Sequence, residues 1–196
     1  MEFSEGVTVT TTTTTKMIEG EHCRRHVNPD GSVGGWVSET AYVAPTARIG
    51  AKALVLHNAR VYDSAEVLDD AKVMVDAKIF GNARVFGEAA IMDNAQIFGW
   101  ARVFDNALIR GDAQVFGRAQ VSGWAQVYGE AQVFGRATIL HKVRVFDNAQ
   151  VFGQVIIGDE VKICGYAAVA DDAEIYGSLK IHGLAKIFGD GIASGT

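Results

Sequence analysis

A six-residue word, repeated without insertion or deletion, governs most of this 196-residue chain. Counting in sixes from Val37 to Ile187 gives 26 positions, and every one of them is Val or Ile. Two residues earlier in each word a small residue recurs, which is Ala at 21 of the 25 positions from Ala41 to Ala185. Repetition of this kind indicates an architecture in which each unit stacks on its neighbours and cannot bury its apolar face alone.

The period of six excludes a helix and favours a strand. At about 100° per residue, six helical residues turn about 600°, so successive Val/Ile side chains would point in three directions. Along a strand, Ala and the Val/Ile two residues later share one face, and β-branched residues suit strands. A Gly or Asp follows two residues after most of the Val/Ile positions, as at Gly81 and Asp93, and both types tolerate the positive φ of a sharp corner. Each word is therefore predicted to form a short strand followed by a corner.

A small residue, a spacer and an aliphatic residue in unbroken sixes resemble the hexapeptide-repeat family. The start of the array, GGWVSETAYVAPTARIG from Gly34 to Gly50, is similar to its YdcK-like group. The resemblance implies an all-β fold, a left-handed parallel β-helix in which three words make one triangular coil, so that 26 words give about 8–9 coils. On this basis we expect an N-terminal Thr-rich arm or cap at residues 1–36, the β-helix at 37–189 and a flexible tail at 190–196.

A coil of three words can be tested within the sequence, because every eighteenth residue should then lie on the same face. The residue after Val/Ile is aromatic throughout one such column, whereas the other two columns are mixed. The uniform column and the Gln residues that precede Val/Ile on the same face are Tyr62, Phe80, Phe98, Phe116, Phe134, Phe152, Gln96, Gln114, Gln132 and Gln150. Neighbours of an inward residue in a strand point outward, so we expect a ladder of rings and amides along one outer face. Stacking alone would reinforce the solenoid, but a contiguous apolar stripe more often meets a partner, and we interpret these residues as an interface.

The leading functional hypothesis is a non-enzymatic β-solenoid scaffold or interaction module, encoded by a phage or a bacterium. The expected partners are further copies of the chain, as a trimer or dimer, and/or another protein; side-by-side homotrimers are implied by the family resemblance. The net charge of −5 with both signs interspersed provides no basic footprint, so no nucleic acid is expected. No apolar run is long enough for a membrane span, and the distant Cys23 and Cys164 fit a reducing compartment. We expect a cytoplasmic location, with a virion component as the alternative.

The alternative hypothesis is a hexapeptide-repeat acyltransferase with an acetyl-CoA site between subunits. Enzymes of that family resemble one another in a catalytic His, a loop extruded from the coils and a C-terminal helix. This chain departs from all three features, because its register is unbroken, only FGDGIASGT follows Ile187, and His57, His141 and His182 fall at separate places in the array. No catalytic residue and no cofactor are therefore predicted.

Two further sites were considered and receive less support from the sequence. The stretch HCRRH, with His22, Cys23 and His26, offers close potential ligands in a spacing that matches no usual metal motif, and no metal is predicted. Trp100 and Trp124 could stack against a carbohydrate or a nucleotide, although a simple role on the rim of the coils is favoured.

Overall fold

Three parallel sheets wind around a triangular prism in the computed structural model, which describes residues 14–195. Within that range the chain is all-β, forms no helix and contains 29 strands. From β3 onward, each strand pairs in parallel with the strand three places along the chain; for example, Gln96 of one coil lies beside Gln114 of the next. One coil therefore takes about 18 residues, and about nine coils stack into a β-solenoid. The predicted all-β fold and its lap of three words are confirmed.

The first sheet has eleven strands: β1 (Thr15–Ile18), β2 (Glu21–Val27), β3 (Val33–Ser38), β6 (Leu54–Val55), β9 (Lys72–Val73), β12 (Ala90–Ile91), β15 (Leu108–Ile109), β18 (Gln126–Val127), β21 (Arg144–Val145), β24 (Lys162–Ile163) and β27 (Lys180–Ile181). The second sheet has nine: β4 (Tyr42–Val43), β7 (Arg60–Val61), β10 (Lys78–Ile79), β13 (Gln96–Ile97), β16 (Gln114–Val115), β19 (Gln132–Val133), β22 (Gln150–Val151), β25 (Ala168–Val169) and β28 (Lys186–Ile187). The third sheet has nine: β5 (Arg48–Ile49), β8 (Glu66–Val67), β11 (Arg84–Val85), β14 (Arg102–Val103), β17 (Gln120–Val121), β20 (Thr138–Ile139), β23 (Ile156–Ile157), β26 (Glu174–Gly177) and β29 (Ile192–Gly195).

The interior of the prism is built from the two repeated apolar positions of the word. From Ala47 to Ile175 the side chains at these positions are buried with at most 1% of their surface exposed. Removing such columns from water supplies roughly 25 cal/mol for each Å² of apolar surface buried. The backbone of each coil bonds to the next, as where the Phe98 N–H donates to the Val115 carbonyl at 3.0 Å. The Ala and Val/Ile positions of each word thus fill the core, and the residues between and beside them on the strands face outward.

The geometry of the corners explains why Gly or Asp recurs two residues after Val/Ile. These positions have positive φ in Gly and Asp alike, for example 72° at Gly99 and 58° at Asp93. At six of the seven Asp corners, all but Asp171, the Oδ2 accepts a hydrogen bond from the backbone N–H of the residue 18 positions later. This bond joins Asp63 to Gly81, Asp69 to Gly87, Asp93 to Gly111, Asp105 to Gly123, Asp147 to Gly165 and Asp159 to Gly177, at 2.9–3.1 Å. An Asp corner therefore satisfies a donor of the next coil that the regular ladder leaves free.

Replacing Gly99 distinguishes the φ requirement from this hydrogen bond. A Cβ on Gly99 would lie 3.0 Å from the Gly117 carbonyl oxygen, and Ala at positive φ is strained by about 1–2 kcal/mol. We expect Gly99→Ala to lower the free energy of unfolding by at least that amount. Gly99→Asp should recover most of the loss, since its carboxylate can accept from the Gly117 N–H as the natural Asp corners do. Thermal and denaturant unfolding measure both variants, and equal destabilisation by Ala and Asp would contradict the proposed role of the carboxylate.

The first coil is covered by the strands that precede it. Strand β2 pairs antiparallel with β3, and β1 pairs antiparallel with β2, which extends the first sheet beyond the prism. Side chains from this extension reach the neighbouring edges: the Arg25 Nη1 donates to the carbonyl of Ala51 at 2.6 Å, and the His26 Nε2 lies 3.4 Å from the Ala47 carbonyl. The residues between 14 and 36 thus act as a cap, whereas most of the Thr-rich stretch from Gly6 to Lys16 lies outside the described residues.

The Asn28 side chain pairs with the edge of strand β5 in the way that the backbone of a neighbouring strand would. Its side chain is buried, its Oδ1 accepts from the Ile49 N–H at 2.8 Å, and its Nδ2 donates to the Ile49 carbonyl at 3.1 Å. Both polar groups of an edge residue are therefore satisfied by one amide, as a neighbouring coil would satisfy them.

Removal of the Asn28 side-chain amide should destabilise the N-terminal end of the prism. We expect Asn28→Ala to lower the free energy of unfolding by about 1–3 kcal/mol, because it leaves two buried backbone groups of Ile49 unpaired. Hydrogen exchange should show the loss in protection at the Ile49 amide and its neighbours in the first coil. Asn58→Ala removes an exposed amide that has no side-chain hydrogen bond among the described residues and serves as the control. Unchanged exchange at Ile49 would contradict the cap.

At the other end, strand pairing continues into the segment beyond residue 189, for which we predict a flexible tail from the sequence. Strand β29 pairs in parallel with β26, with Ala193 beside Ile175. The residues of that segment satisfy the open edge of β26, which explains why they follow the path of another coil even though they lack the Ala-spacer-Val pattern.

Candidate functional site

The aromatic column of the second sheet forms a continuous stack. Phe80, Phe98, Phe116, Phe134 and Phe152 have successive ring centroids 4.7–4.9 Å apart and interplanar angles of 1–6°. Each ring faces outward beside the strand and is half-buried by the rings above and below it. The spacing follows from the separation of neighbouring strands, about 4.8 Å, which sets the step between coils.

The two ends of the column differ from the prediction of a uniform ladder. Tyr62 makes a tilted pair with Tyr42, with centroids 5.3 Å apart and planes at 41°, so the parallel series begins at Phe80. After Phe152 the column contains the buried Ala170, and it ends at Phe188, which is exposed. The rings that stack therefore span the middle five coils of the prism.

The Gln residues lie two positions before these rings and share their outer face. Gln96, Gln114 and Gln132 are half-buried and Gln150 is exposed, and their strands pair in register. We call this surface the Phe/Gln ladder: the five stacked Phe residues with these four Gln residues. Its strand positions from Gln96 to Gln150 carry no charge, whereas the corresponding positions of the third sheet include Arg84 and Arg102.

Shorter stacks occur on the other two faces, where the sequence columns are mixed. Phe86 and Phe104 stack on the third sheet at 4.9 Å, and Tyr128 and Phe146 stack on the first sheet at 5.0 Å. Stacked pairs 18 residues apart at this position thus occur on all three faces, although Tyr62 and Phe80 do not form one. Stacking by itself therefore stabilises coils on every face.

His57 and His141 join neighbouring coils in the same way as the corner Asp residues. His57 and His141 have φ of 57° and 56°, and each Nδ1 accepts a backbone N–H from the next coil, from Val75 at 3.4 Å and from Asp159 at 3.0 Å. The next corner after His141 is Asp159. A His at position 141, in place of an Asp, therefore avoids putting two carboxylates next to each other. Both side chains are thus engaged in joining coils.

Substitution at His57 tests this structural role. We expect His57→Asp to keep the free energy of unfolding near that of the wild type, because the carboxylate can accept the Val75 N–H in the same way. His57→Ala removes the acceptor and should lower it by about 0.5–1.5 kcal/mol. Chemical denaturation measures the free energy of unfolding of the two variants. An Asp variant as unstable as the Ala variant would show that accepting the Val75 N–H is not how the imidazole stabilises the coil.

The HCRRH stretch does not gather its potential ligands. It lies on strand β2, where His22 is exposed and Cys23 is buried. Burial raises the pKa of the Cys23 thiol and lowers the pKa of the His26 imidazole. Cys23 and Cys164 are both free thiols, and among residues 14–195 no three His, Cys, Asp or Glu side chains are grouped as metal ligands would be.

Three large aromatic side chains project from the corners. Trp100, Trp124 and Tyr166 expose 62%, 64% and 66% of their surface and lie on three different corners of the prism. Beside Trp100 is a recess of about 380 Å³ that is lined by Ser64, Glu66, Asn82, Arg84, Trp100 and Arg102. A smaller recess of about 270 Å³ lies beside Trp124 and is lined by Trp124, Gln126, Lys142 and Arg144.

No protein-family model matches the chain, and no curated protein matches it either. No helix that could cross a membrane is present in the part of the chain that the structure describes. The repeated corners, the Phe/Gln ladder and the Trp recesses are therefore the features from which a function has to be argued.

Proposed function

We propose that the protein is a rigid interaction module that self-associates through the Phe/Gln ladder. The observation that carries the proposal is the outer face of the second sheet, where stacked rings and amides run over several coils without a charge at the strand positions. Cores of protein interfaces are depleted in charge and enriched in aromatic residues. Homo-oligomerisation as a dimer or trimer accords with the resemblance to hexapeptide-repeat proteins.

The chemistry of this face favours a second copy as the partner. A Gln amide is both a donor and an acceptor, so a column of Gln residues can pair with an identical column. A symmetric interface requires such self-complementarity, because the same patch meets itself. The first sheet carries Arg144, Lys162 and Lys180 in one column, and two copies of that column would repel each other.

The period of the ladder supports the same partner. Its rings repeat every 4.7–4.9 Å, and only a surface with an equal period can match it over several coils. Another copy of the chain has that period by construction. The flat, regular face and the half-buried rings are suited to broad contact rather than to enclosing a small substrate.

Charge introduced on the ladder should dissociate the oligomer. We expect the wild type to exceed the mass of the 21.0 kDa chain in light scattering, and Gln114→Lys with Gln132→Lys to reduce it to the monomer, because like charges would face each other across the interface. Gln120→Lys changes the same position of the word on the third sheet and is the matched control, which should leave the mass unchanged. These sites lie outside the core, so circular dichroism should be identical in all variants.

Two results would overturn the proposal. A wild-type mass of 21.0 kDa across the micromolar range would reject self-association and leave a different protein as the partner of this face. A clear rise in melting temperature with acetyl-CoA would instead favour the acyltransferase alternative, in which the site forms between subunits.

A further inference from the structure

Trp100 is not required by the solenoid. The corner position that it occupies holds Asn82 one coil earlier and Arg118 one coil later. Its backbone N–H donates to the Gly117 carbonyl at 2.7 Å, a bond that any residue other than proline can make. The indole is 62% exposed, and it stacks with no other ring of the described residues, unlike the five stacked Phe residues of the neighbouring sheet. Burial in the prism therefore does not explain a side chain of this size.

The recess beside Trp100 has a regular layout that the coil geometry dictates. Its six lining residues form two columns with a spacing of 18 residues, so each column climbs one coil at a time. The corner column and the third-sheet column are Ser64, Asn82, Trp100 and Glu66, Arg84, Arg102. With about 4.8 Å between coils, each column extends about 10 Å along the prism. The recess is open on its outer side and long rather than deep.

The charged side chains of the recess are one ion pair and one cation without an ion-pair partner among the described residues. Arg84 Nε lies 2.6 Å from Glu66 Oε2, so these two groups neutralise each other. Arg102 makes no ion pair with any residue from 14 to 195, and its guanidinium carbon lies 5.6 Å from the Phe86 ring centroid. Arg102 and Trp100 both line the recess. The result is one uncompensated cation beside one exposed indole, with polar groups along the rest of the recess.

From this arrangement we propose that the Trp100 recess binds an acidic oligosaccharide. The C–H face of a pyranose ring packs against an exposed indole, while the Arg102 guanidinium offers the paired donors that suit a single carboxylate. The hydroxyl groups of the next sugar would meet Asn82 and Ser64, whose side chains donate and accept hydrogen bonds. They would also meet the oxygens of Glu66, which accept them. An open recess along the prism fits a chain of sugars better than an isolated small molecule, which needs a more enclosed pocket.

The same layout disfavours a nucleotide. A base would stack on the indole, but a phosphate carries more negative charge than the single unpaired Arg102 balances. Arg84, the other cation of the recess, is already paired with the Glu66 carboxylate and does not balance that additional charge. A sugar carboxylate needs one cation and uses Glu66 as an acceptor for its hydroxyl groups.

The test uses the hyaluronan tetrasaccharide, in which glucuronate alternates with an amino sugar, as the acidic probe. Chitotetraose is the neutral probe and AMP is the nucleotide probe. The chain has three Trp residues, so three indole N–H signals in an NMR titration report the site directly. We expect saturable shifts of the Trp100 signal with the acidic probe, and at least tenfold weaker binding of chitotetraose and AMP.

Variants locate the site and separate the roles of stacking and charge. Trp100→Ala and Arg102→Gln should each weaken binding of the acidic probe at least tenfold, and both side chains are exposed, so the fold should persist. Tyr166→Ala removes an equally exposed ring from another corner and should bind like the wild type. Higher salt should weaken the wild type but have less effect on Arg102→Gln, because the carboxylate contact is then absent.

The proposal is overturned if the tetrasaccharide gives no saturable shift at Trp100, or if both recess variants bind it as the wild type does. Equal binding of chitotetraose would reject the role of Arg102, and tighter binding of AMP would replace the saccharide by a nucleotide. None of these results depends on the oligomeric state, since the recess is lined by the third sheet and its corner rather than by the Phe/Gln ladder.

Discussion

The separation between coils is the constraint on which the rest of this structure depends. Every residue meets its counterpart 18 positions away at the distance between neighbouring strands, about 4.8 Å. At the corners this distance favours residues that accept positive φ and either have no side chain, as in Gly, or bond to the next coil, as in Asp93 and His57. In the interior it requires small and β-branched residues that fill successive layers without a cavity.

The same spacing converts repetition in sequence into regular outer surfaces. Rings placed 18 residues apart stack on all three faces, so stacking is a property of the coil, and only its length and its surroundings distinguish the Phe/Gln ladder. What sets this ladder apart is the absence of charge at its strand positions from Gln96 to Gln150. The recess beside Trp100 is the opposite case, because there an indole occupies one corner position and stands beside an unpaired guanidinium.

Sequence reasoning predicted the coil length, the inward columns and the outward aromatic column correctly. The inward columns follow from the period, whereas the coil length was implied by the family resemblance and supported by aromatic residues that recur every 18 positions. It did not anticipate that Tyr62 would pair with Tyr42, since the tilt depends on a Tyr from the first coil that precedes the column. It treated His57 and His141 as inert corner residues, although their positions two after Val55 and Ile139 match those of the bonding Asp corners, a signal available in the sequence. The Trp100 recess was missed because Glu66, Arg84 and Arg102 lie in different words and meet only after the chain has wound.

The sequence by itself determined the all-β class and the division into inner and outer residues, because a strict period of six puts Ala and Val/Ile on one face of a strand. The lap of three words was implied by the family resemblance and supported by the recurrence of aromatic residues every 18 positions. The tertiary structure decided how the ends are closed and which outward residues become neighbours. Asn28 satisfies Ile49 across 21 residues, and segment 192–195 continues the coil without its apolar pattern. Both depend on unpaired backbone groups at the edges of sheets, which exist only once the coils have stacked.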